Sequence, residues 1–82
     1  MRKNKTGTLY IVATPIGHND DITLRAIEIL KKVDIVICEE LRQGSTLLKR
    51  LKIKKNLIPL NEHNENEMVQ NILVELLNGK NM

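Results

Sequence analysis

Apolar residues occur along this chain in short blocks that predict three β-strands. Thr8–Thr14 is a nearly continuous apolar and β-branched run, which predicts a strand buried on both faces. Two shorter runs, Asp34–Cys38 and Leu57–Leu60, predict a second and a third strand. Pro59 has no backbone N–H to donate, so the third strand is expected at a sheet edge.

The interval between the first two predicted strands has the period of an amphipathic helix. Asp20 or Asp21 can cap its start, and we expect the helix to run to about Val33. A carboxylate pair in front of a helix is more often a cap than a pair of catalysts. The apolar stripe has the spacing i, i+4, i+7, i+8, i+11 and consists of Ile22, Ala26, Ile29, Leu30 and Val33.

Two more helices are predicted after the second and third strands. A polar loop over Glu39–Gly44 leads to a helix capped by Ser45, with Leu47, Leu48 and Leu51 facing inward. The last helix is expected over Glu65–Leu77 and ends at the Asn78-Gly79 stop signal. Its predicted apolar face comprises Met68, Val69, Ile72, Leu73, Leu76 and Leu77.

The order βαβαβα predicts the α/β class, with an incomplete parallel sheet and helices on its faces. Ligands of open α/β sheets bind at the carboxyl ends of the strands, so the three loops there are the candidate sites. The first loop contains Pro15, Ile16 and Gly17; Pro15 fixes φ, and Gly17 lets a ligand approach the backbone closely. An ordinary strand-to-helix turn is the alternative.

Charged residues mark the other two loops. Glu39 and Arg42 follow the second strand, where Arg42 could bind a phosphate or carboxylate, or the two could form a local ion pair. His63 follows the third strand and could act as a base or contact a ligand, or lie in a solvated loop. Since His63 has no Cys and no second His close to it in sequence, no metal site is predicted.

Composition narrows the class of protein. The chain has no Trp, no Phe and one Tyr, which argues against an RNA-binding module that stacks bases on aromatic rings. Its net charge of +3 permits nucleic-acid contact without requiring it. Cys38 is the single cysteine, so a reduced, buried thiol in a cytoplasmic protein is expected. No segment approaches ~20 consecutive apolar residues, and no membrane association is expected.

Several segments, in order and over nearly the whole chain, resemble one family. Together they are similar to the small-subunit ribosomal RNA ribose 2′-O-methyltransferases of the tetrapyrrole-methylase-like superfamily. The segments are Gly7–Gly17, Asp21–Ala26, Leu30–Asp34, Glu39-x-x-Arg42, Leu47-Leu48 and Glu62–Glu65. The run ATPIG followed by DITLRA is the most specific of these matches.

The resemblance implies S-adenosylmethionine as cofactor, a cytidine ribose 2′-hydroxyl of 16S rRNA as substrate, a cytoplasmic location and a homodimer. It implies two α/β domains with the cofactor between them. Pro15, Ile16 and Gly17 would then belong to the cofactor cleft. Glu39, Arg42 and His63 map to family motifs on the same edge, with no role assigned. The chain departs from the family at His18-Asn19, where Asn-Leu is usual, and at Leu41, where Thr is usual.

The resemblance also implies a domain assignment. Residues 1–7 are expected to form a mobile basic tail, and residues 8–82 a partial N-terminal methylase domain. That domain would lack the fourth strand, the cofactor loop and the second domain, so we expect the 82-residue chain to be inactive alone. The alternatives are a non-enzymatic RNA-binding or dimerisation remnant and a fragment of a tetrapyrrole methylase.

Overall fold

Helices and parallel strands alternate in the computed structural model, which describes residues 5–14 and 21–82. The order is α1 (Leu24–Lys32), β1 (Ile35–Cys38), α2 (Leu41–Arg50), β2 (Asn56–Pro59) and α3 (Glu65–Leu77). β1 and β2 are parallel, and their register runs from Ile35 opposite Asn56 to Cys38 opposite Pro59. The predicted α/β class is confirmed.

Apolar side chains pack on both faces of the β1–β2 pair. On one face, Leu30 of α1 and Leu48 of α2 form a buried cluster with Ile53. On the other face, Ile72 of α3 packs with Ile35 and with the C-terminal residue, Met82. Because strand residues contribute to both clusters, β1 lies in the middle layer of a three-layer arrangement. The strand residues packed against the two clusters are Val36 and Leu57 on the first face, and Ile37 and Ile58 on the second.

The last two residues hydrogen-bond to segments on both sides of them. The Met82 N–H donates to the Thr8 carbonyl at 2.9 Å, and the Tyr10 N–H donates to the Met82 carbonyl at 2.8 Å. This pattern is that of a parallel ladder. On the other side, the Asn81 carbonyl accepts from the N–H of Asp34 at 2.8 Å. Asn81 and Met82 therefore lie between the N-terminal segment, residues 5–14, and the start of β1.

The prediction that Thr8–Thr14 is a strand buried on both faces was wrong for most of its length. Among the described residues no regular strand forms there, and Ile11 is 89% exposed and Leu9 47% exposed. The physical reason is the lack of a neighbour: ladder bonds to Met82 hold Thr8 and Tyr10 only. An apolar, β-branched run packs as a buried strand only when a partner covers it.

The starts of the first two helices also differ from the predictions. Thr23, two residues after Asp21, is the N-cap of α1, and its Oγ1 accepts from the Ala26 N–H at 3.1 Å. Asp20 lies outside the described residues. α2 begins at Leu41 rather than after a Ser45 cap, so most of the predicted polar loop is helix. Gly44 is part of this helix because it packs closely on β1, a tertiary contact that outweighs its low helix propensity.

Other predictions are confirmed. Within the predicted stripe of α1, Ala26, Leu30 and Val33 are buried. α3 spans the predicted residues, and Gly79, with a φ of +92°, follows it in the left-handed region that glycine adopts readily. β2 is an edge strand of the two-stranded sheet that the structure describes, although it begins and ends one residue earlier than predicted.

The N-terminal tail is described only in part, since residues 1–4 lie outside the described residues. Its mobility stays a prediction, although the Gly7 N–H donates to the Leu76 carbonyl at 2.6 Å. No helix in residues 5–14 and 21–82 is long and apolar enough to cross a membrane.

Candidate functional site

Two loops at the carboxyl ends of β1 and β2 form a connected polar surface. The Asn61 side-chain amide donates to the Glu39 carbonyl at 3.3 Å, which joins the loop after β2 to the loop after β1. The Leu60 N–H donates to the Cys38 carbonyl at 2.8 Å and extends the ladder to the same place. The sequence-predicted carboxyl edge therefore exists, and the Glu39 and His63 loops share it.

Two asparagines organise the loop that carries His63. The Asn64 Oδ1 accepts from the Asn61 N–H at 2.9 Å, and the Asn64 amide donates to the Pro59 carbonyl at 2.9 Å. The Asn61 Oδ1 accepts from the His63 N–H at 2.9 Å. The sequence predicted no role for Asn61, and Asn64 was identified only as part of the family-like segment Glu62–Glu65. The available signal was their type, because Asn side chains bond the backbone two or three residues away.

A groove of about 380 Å³ separates the N-terminal segment from β1 and α2. Leu9 and Val12 line one side, and Ile37 lines the other. Glu39 and Glu40 lie at the carboxyl end of the groove together with Thr14, the residue immediately before the predicted cofactor loop. The groove is thus apolar along its length and acidic at one end.

The structure brings only some of the predicted site residues together. Pro15, Ile16 and Gly17 lie outside the described residues. Glu39 lines the groove, whereas Arg42 and His63 are exposed and are not among the described residues that line it. His63 Nε2 lies 3.9 Å from Glu62 Oε1, and the side chains are 84% and 88% exposed respectively. So exposed a pair holds neither side chain firmly in place.

Gly44 sets how closely α2 approaches the end of β1. A Cβ atom built on Gly44 would lie 2.8 Å from the Cys38 Sγ and 3.0 Å from its Cβ. Only glycine fits without a shift of the helix, and the contact holds the first turn of α2, with Glu40 at its N-cap, over the groove. Sequence reasoning missed this role, because Gly44 was assigned to a loop.

Cys38 is a packing residue of this wall. Burial raises the pKa of the Cys38 thiol, since a thiolate is poorly solvated there. The raised pKa lowers the thiolate fraction at neutral pH, so the thiol is a poor nucleophile. The expected reduced thiol is present as a free, half-buried cysteine.

The carboxyl end of the groove offers hydrogen-bond acceptors to a ligand. The Glu39 and Glu40 carboxylates there can accept hydrogen bonds from hydroxyl or amino groups. Within residues 5–14 and 21–82 no three His, Cys, Asp or Glu side chains are grouped for metal binding.

Comparison with known proteins agrees with this architecture. Residues 8–82 match the family model described as Tetrapyrrole (Corrin/Porphyrin) Methylases. The chain is 49% identical over 80 residues to a protein of Buchnera aphidicola subsp. Acyrthosiphon pisum named Ribosomal RNA small subunit methyltransferase I. That alignment covers 98% of this chain and 28% of the relative.

Proteins of the same name from two other bacteria are also similar. The Leptospira biflexa relative is 42% identical over 98% of this chain and 33% of its own length. The Escherichia coli O157:H7 relative is 42% identical over 96% of this chain and 28% of its own length. The chain thus spans roughly a third or less of the curated relatives it matches.

Proposed function

Because the chain belongs to the tetrapyrrole methylase family, we propose that it forms one wall of the cofactor cleft of an S-adenosylmethionine-dependent rRNA methyltransferase. The acceptor is the ribose 2′-hydroxyl of a cytidine in 16S rRNA. The observation that carries the proposal is the carboxyl end of the groove, which Thr14, Glu39 and Glu40 line. The names of the relatives support rRNA as the substrate.

Only the carboxyl end of the groove has a role in this proposal, where Glu39 and Glu40 accept hydrogen bonds from the polar groups of the cofactor. The apolar length of the groove, between Val12 and Ile37, lies in line with Asn81 and Met82, which bond to both of its sides, so it is a place for a strand. S-adenosylmethionine supplies an electrophilic methyl group when bound. The carboxylates also attract its sulfonium cation, and water weakens this attraction because Glu39 and Glu40 are exposed. Pro15, Ile16 and Gly17 complete the cofactor loop in the proposal.

One wall does not position both reactants for transfer. The methyl group and the acceptor hydroxyl must be held in line, and such positioning contributes about 7–11 kcal/mol to lowering a barrier. The described residues that could contact the cofactor come from one side only, the loops at the carboxyl edge of the sheet. We therefore propose that these 82 residues bind cofactor weakly and do not transfer methyl groups alone. We also propose that the complete enzyme acts in the cytoplasm as a homodimer.

An NMR titration of the 82-residue chain with S-adenosylmethionine tests cofactor binding. Shift changes are expected at Thr14 and Glu39, and Glu39→Gln should weaken binding several-fold. Glu65→Gln is the matched control, since Glu65 is exposed on α3 and is not among the described residues that line the groove. Shifts distributed evenly over the chain, or equal effects of the two substitutions, would count against a site in the groove.

A transfer assay tests the reaction. Small ribosomal subunits with unmodified 16S rRNA are incubated with methyl-labelled cofactor and either the 82-residue chain or a chimera. In the chimera, residues 8–82 replace the matching segment of the Escherichia coli relative. The chimera is expected to label a cytidine ribose and the 82-residue chain to label nothing. A folded chimera that binds cofactor without labelling rRNA would contradict the proposed activity, and labelling by the chain alone would contradict its inactivity.

A further inference from the structure

The amino ends of β1 and β2 form a strongly basic surface opposite the candidate cofactor edge. We define this basic edge as residues 31–34 and 49–55, which end α1 and α2 and lead into the two strands. It contains seven cations and one carboxylate, Asp34. The parallel topology brings these two sequence-distant clusters to one side of the molecule, because each helix ends where the next strand begins. The cations are Lys31, Lys32, Lys49, Arg50, Lys52, Lys54 and Lys55.

Side chains from the two clusters meet in one shallow depression. Lys32, Lys54 and Lys55 line it together with Asp34. Lys55 is half-buried, and its Nζ donates to the Val33 carbonyl at 2.6 Å, which fixes one ammonium group at the joint between the clusters. The two clusters of the basic edge therefore form one continuous surface, and a hydrogen bond fixes the joint between them.

Interactions within the chain explain the presence of only some of the cations of the basic edge. Lys31, Lys32 and Lys49 lie in the last turns of helices, where cations interact favourably with the helix dipole. Lys52 and Lys54 lie beyond helix α2 and are exposed. In the described part of the chain, none of these five lysines forms an ion pair with a carboxylate, although Lys32 Nζ lies over the Tyr10 ring at 5.0 Å from its centroid. The charges of Lys52 and Lys54 remain available to a partner.

The carboxyl edge has the opposite charge. Residues 39–43 and 61–65 carry four carboxylates and one arginine, Arg42. A polyanion is therefore repelled from the loops around the groove and attracted to the opposite side of the molecule. Lysines bind phosphates as point charges and do not select a base, which fits a contact to a nucleic-acid backbone.

We propose that the basic edge binds the phosphate backbone of folded RNA and thereby holds the substrate RNA against the domain independently of the cofactor groove. This proposal rests on the proposed action on rRNA. It assigns to Lys52 and Lys54 a role in RNA affinity, with no role in the choice of the modified nucleotide.

Fluorescence anisotropy with a labelled RNA hairpin tests the proposal on the 82-residue chain. Binding is measured from about 25 to 200 mM KCl for the unmodified chain, for Lys52→Gln and Lys54→Gln, and for the double variant. Each substitution is expected to lower the slope of log affinity against log salt by about 1, with equal weakening on hairpins of different sequence. Arg25→Gln is the charge-matched control, because Arg25 is exposed in the first turn of α1, at the opposite end of that helix.

Three results would overturn the proposal: no RNA binding at low salt, an equal loss for Arg25→Gln, or binding to anionic phosphatidylserine vesicles in place of RNA. Circular dichroism of each variant confirms that its fold is intact. The test is separate from the methyl-transfer assay. If Lys52→Gln and Lys54→Gln leave RNA binding unchanged while the chimera methylates rRNA, this proposal alone is contradicted. If the two substitutions weaken RNA binding but the chimera does not methylate rRNA, the proposed activity alone is contradicted.

Discussion

The two sides of the groove have similar sequences and different structures. β1 and β2 pair along their whole length and are covered by helices, whereas the apolar N-terminal segment is held at Gly7, Thr8 and Tyr10 and is largely exposed at Ile11. The difference shows that a β-branched apolar run predicts where a strand can be buried, and that its neighbours decide whether it is. The N-terminal segment, which leads to the candidate cofactor loop, is thus held by fewer contacts than β1 and β2.

The largest expected effect is on the free energy of unfolding, which a substitution on the paired side should lower much more than one in the N-terminal segment. Leu48→Ala should lower the free energy of unfolding by about 2–5 kcal/mol, because Leu48 is 4% exposed and lies in the core of the paired side. Ile11→Ala should change it by less than about 0.5 kcal/mol, as expected for an exposed site. Urea unfolding followed by circular dichroism measures both. Equal losses would show that the N-terminal segment is packed as firmly as the paired strands.

Filling the groove with an added strand should remove the difference in stability between the two sides of the groove. A five-residue Val/Ile extension after Met82 would continue between the N-terminal segment and β1, since Asn81 and Met82 already bond to both. A gain of about 2 kcal/mol is expected after the entropy of ordering the extension is subtracted from its burial. The Ile37 amide should become protected from hydrogen exchange, because successive residues of a strand direct their backbone groups to opposite sides and the Cys38 carbonyl bonds to Leu60.

The control for that experiment is an extension of the same length with proline at alternate positions. Proline cannot donate to a ladder, so neither the stability nor the protection of Ile37 should rise. Equal gains from both extensions would mean that the groove accepts apolar chain without strand pairing. A dimer formed by the Val/Ile chain, with no intramolecular protection, would mean that a second copy fills the groove.

A smaller effect is expected where the two sides are joined. The Asn81 Oδ1 accepts from the Thr8 N–H at 2.8 Å, and Asn81→Ala removes this bond. A loss of about 1 kcal/mol is expected, together with faster hydrogen exchange in residues 8–10. Asn71→Ala, on the exposed surface of α3, serves as the control and should leave that exchange unchanged. Unchanged exchange in the Asn81 variant would show that Met82 alone holds the N-terminal segment.

The smallest effect concerns Cys38. Because burial raises the pKa of its thiol, the folded state keeps the proton after the unfolded state has lost it. The contribution of Cys38 is fully present below the thiol pKa of the unfolded chain, about 8.5, and declines as pH rises above that value. Alkylation by iodoacetamide at pH 8 should be slower than that of a model peptide thiol. An equal rate would show that the groove wall opens freely.

Local patterns predicted the parts of the fold that depend on local chemistry. The extent of α3, the Asn78-Gly79 stop and the apolar stripe of α1 each follow from residues within a few positions of one another. The predicted apolar face of α3 is confirmed only in part, because Val69, Leu73 and Leu77 are exposed. The start of α2 could not be predicted in this way, because Gly44 is placed by its approach to Cys38, and that contact is tertiary. The same holds for the N-terminal segment, whose partner, Met82, lies at the other end of the chain.

The sequence predicted which edge of the sheet carries the candidate loops, but it did not predict which side chains face the groove. The rule for parallel sheets places the Glu39 and His63 loops at one edge, and in the structure the Asn61 side chain joins the two loops by its hydrogen bond to the Glu39 carbonyl. It could not show that Glu39 faces the groove while Arg42 and His63 do not, since that depends on where α2 begins. The asparagine bonds that shape the His63 loop are short-range and were open to prediction from residue type.

The pairing of Thr8 and Tyr10 with Met82 has a consequence for the order of folding. These contacts join residues that are 72 and 74 positions apart, and closing so long a loop costs more entropy than forming the local β1–α2–β2 unit. During synthesis the N-terminal segment is made before β1 and β2 but cannot form these bonds until Met82 has been added. We therefore expect β1 and β2 to pair before this side of the groove assembles.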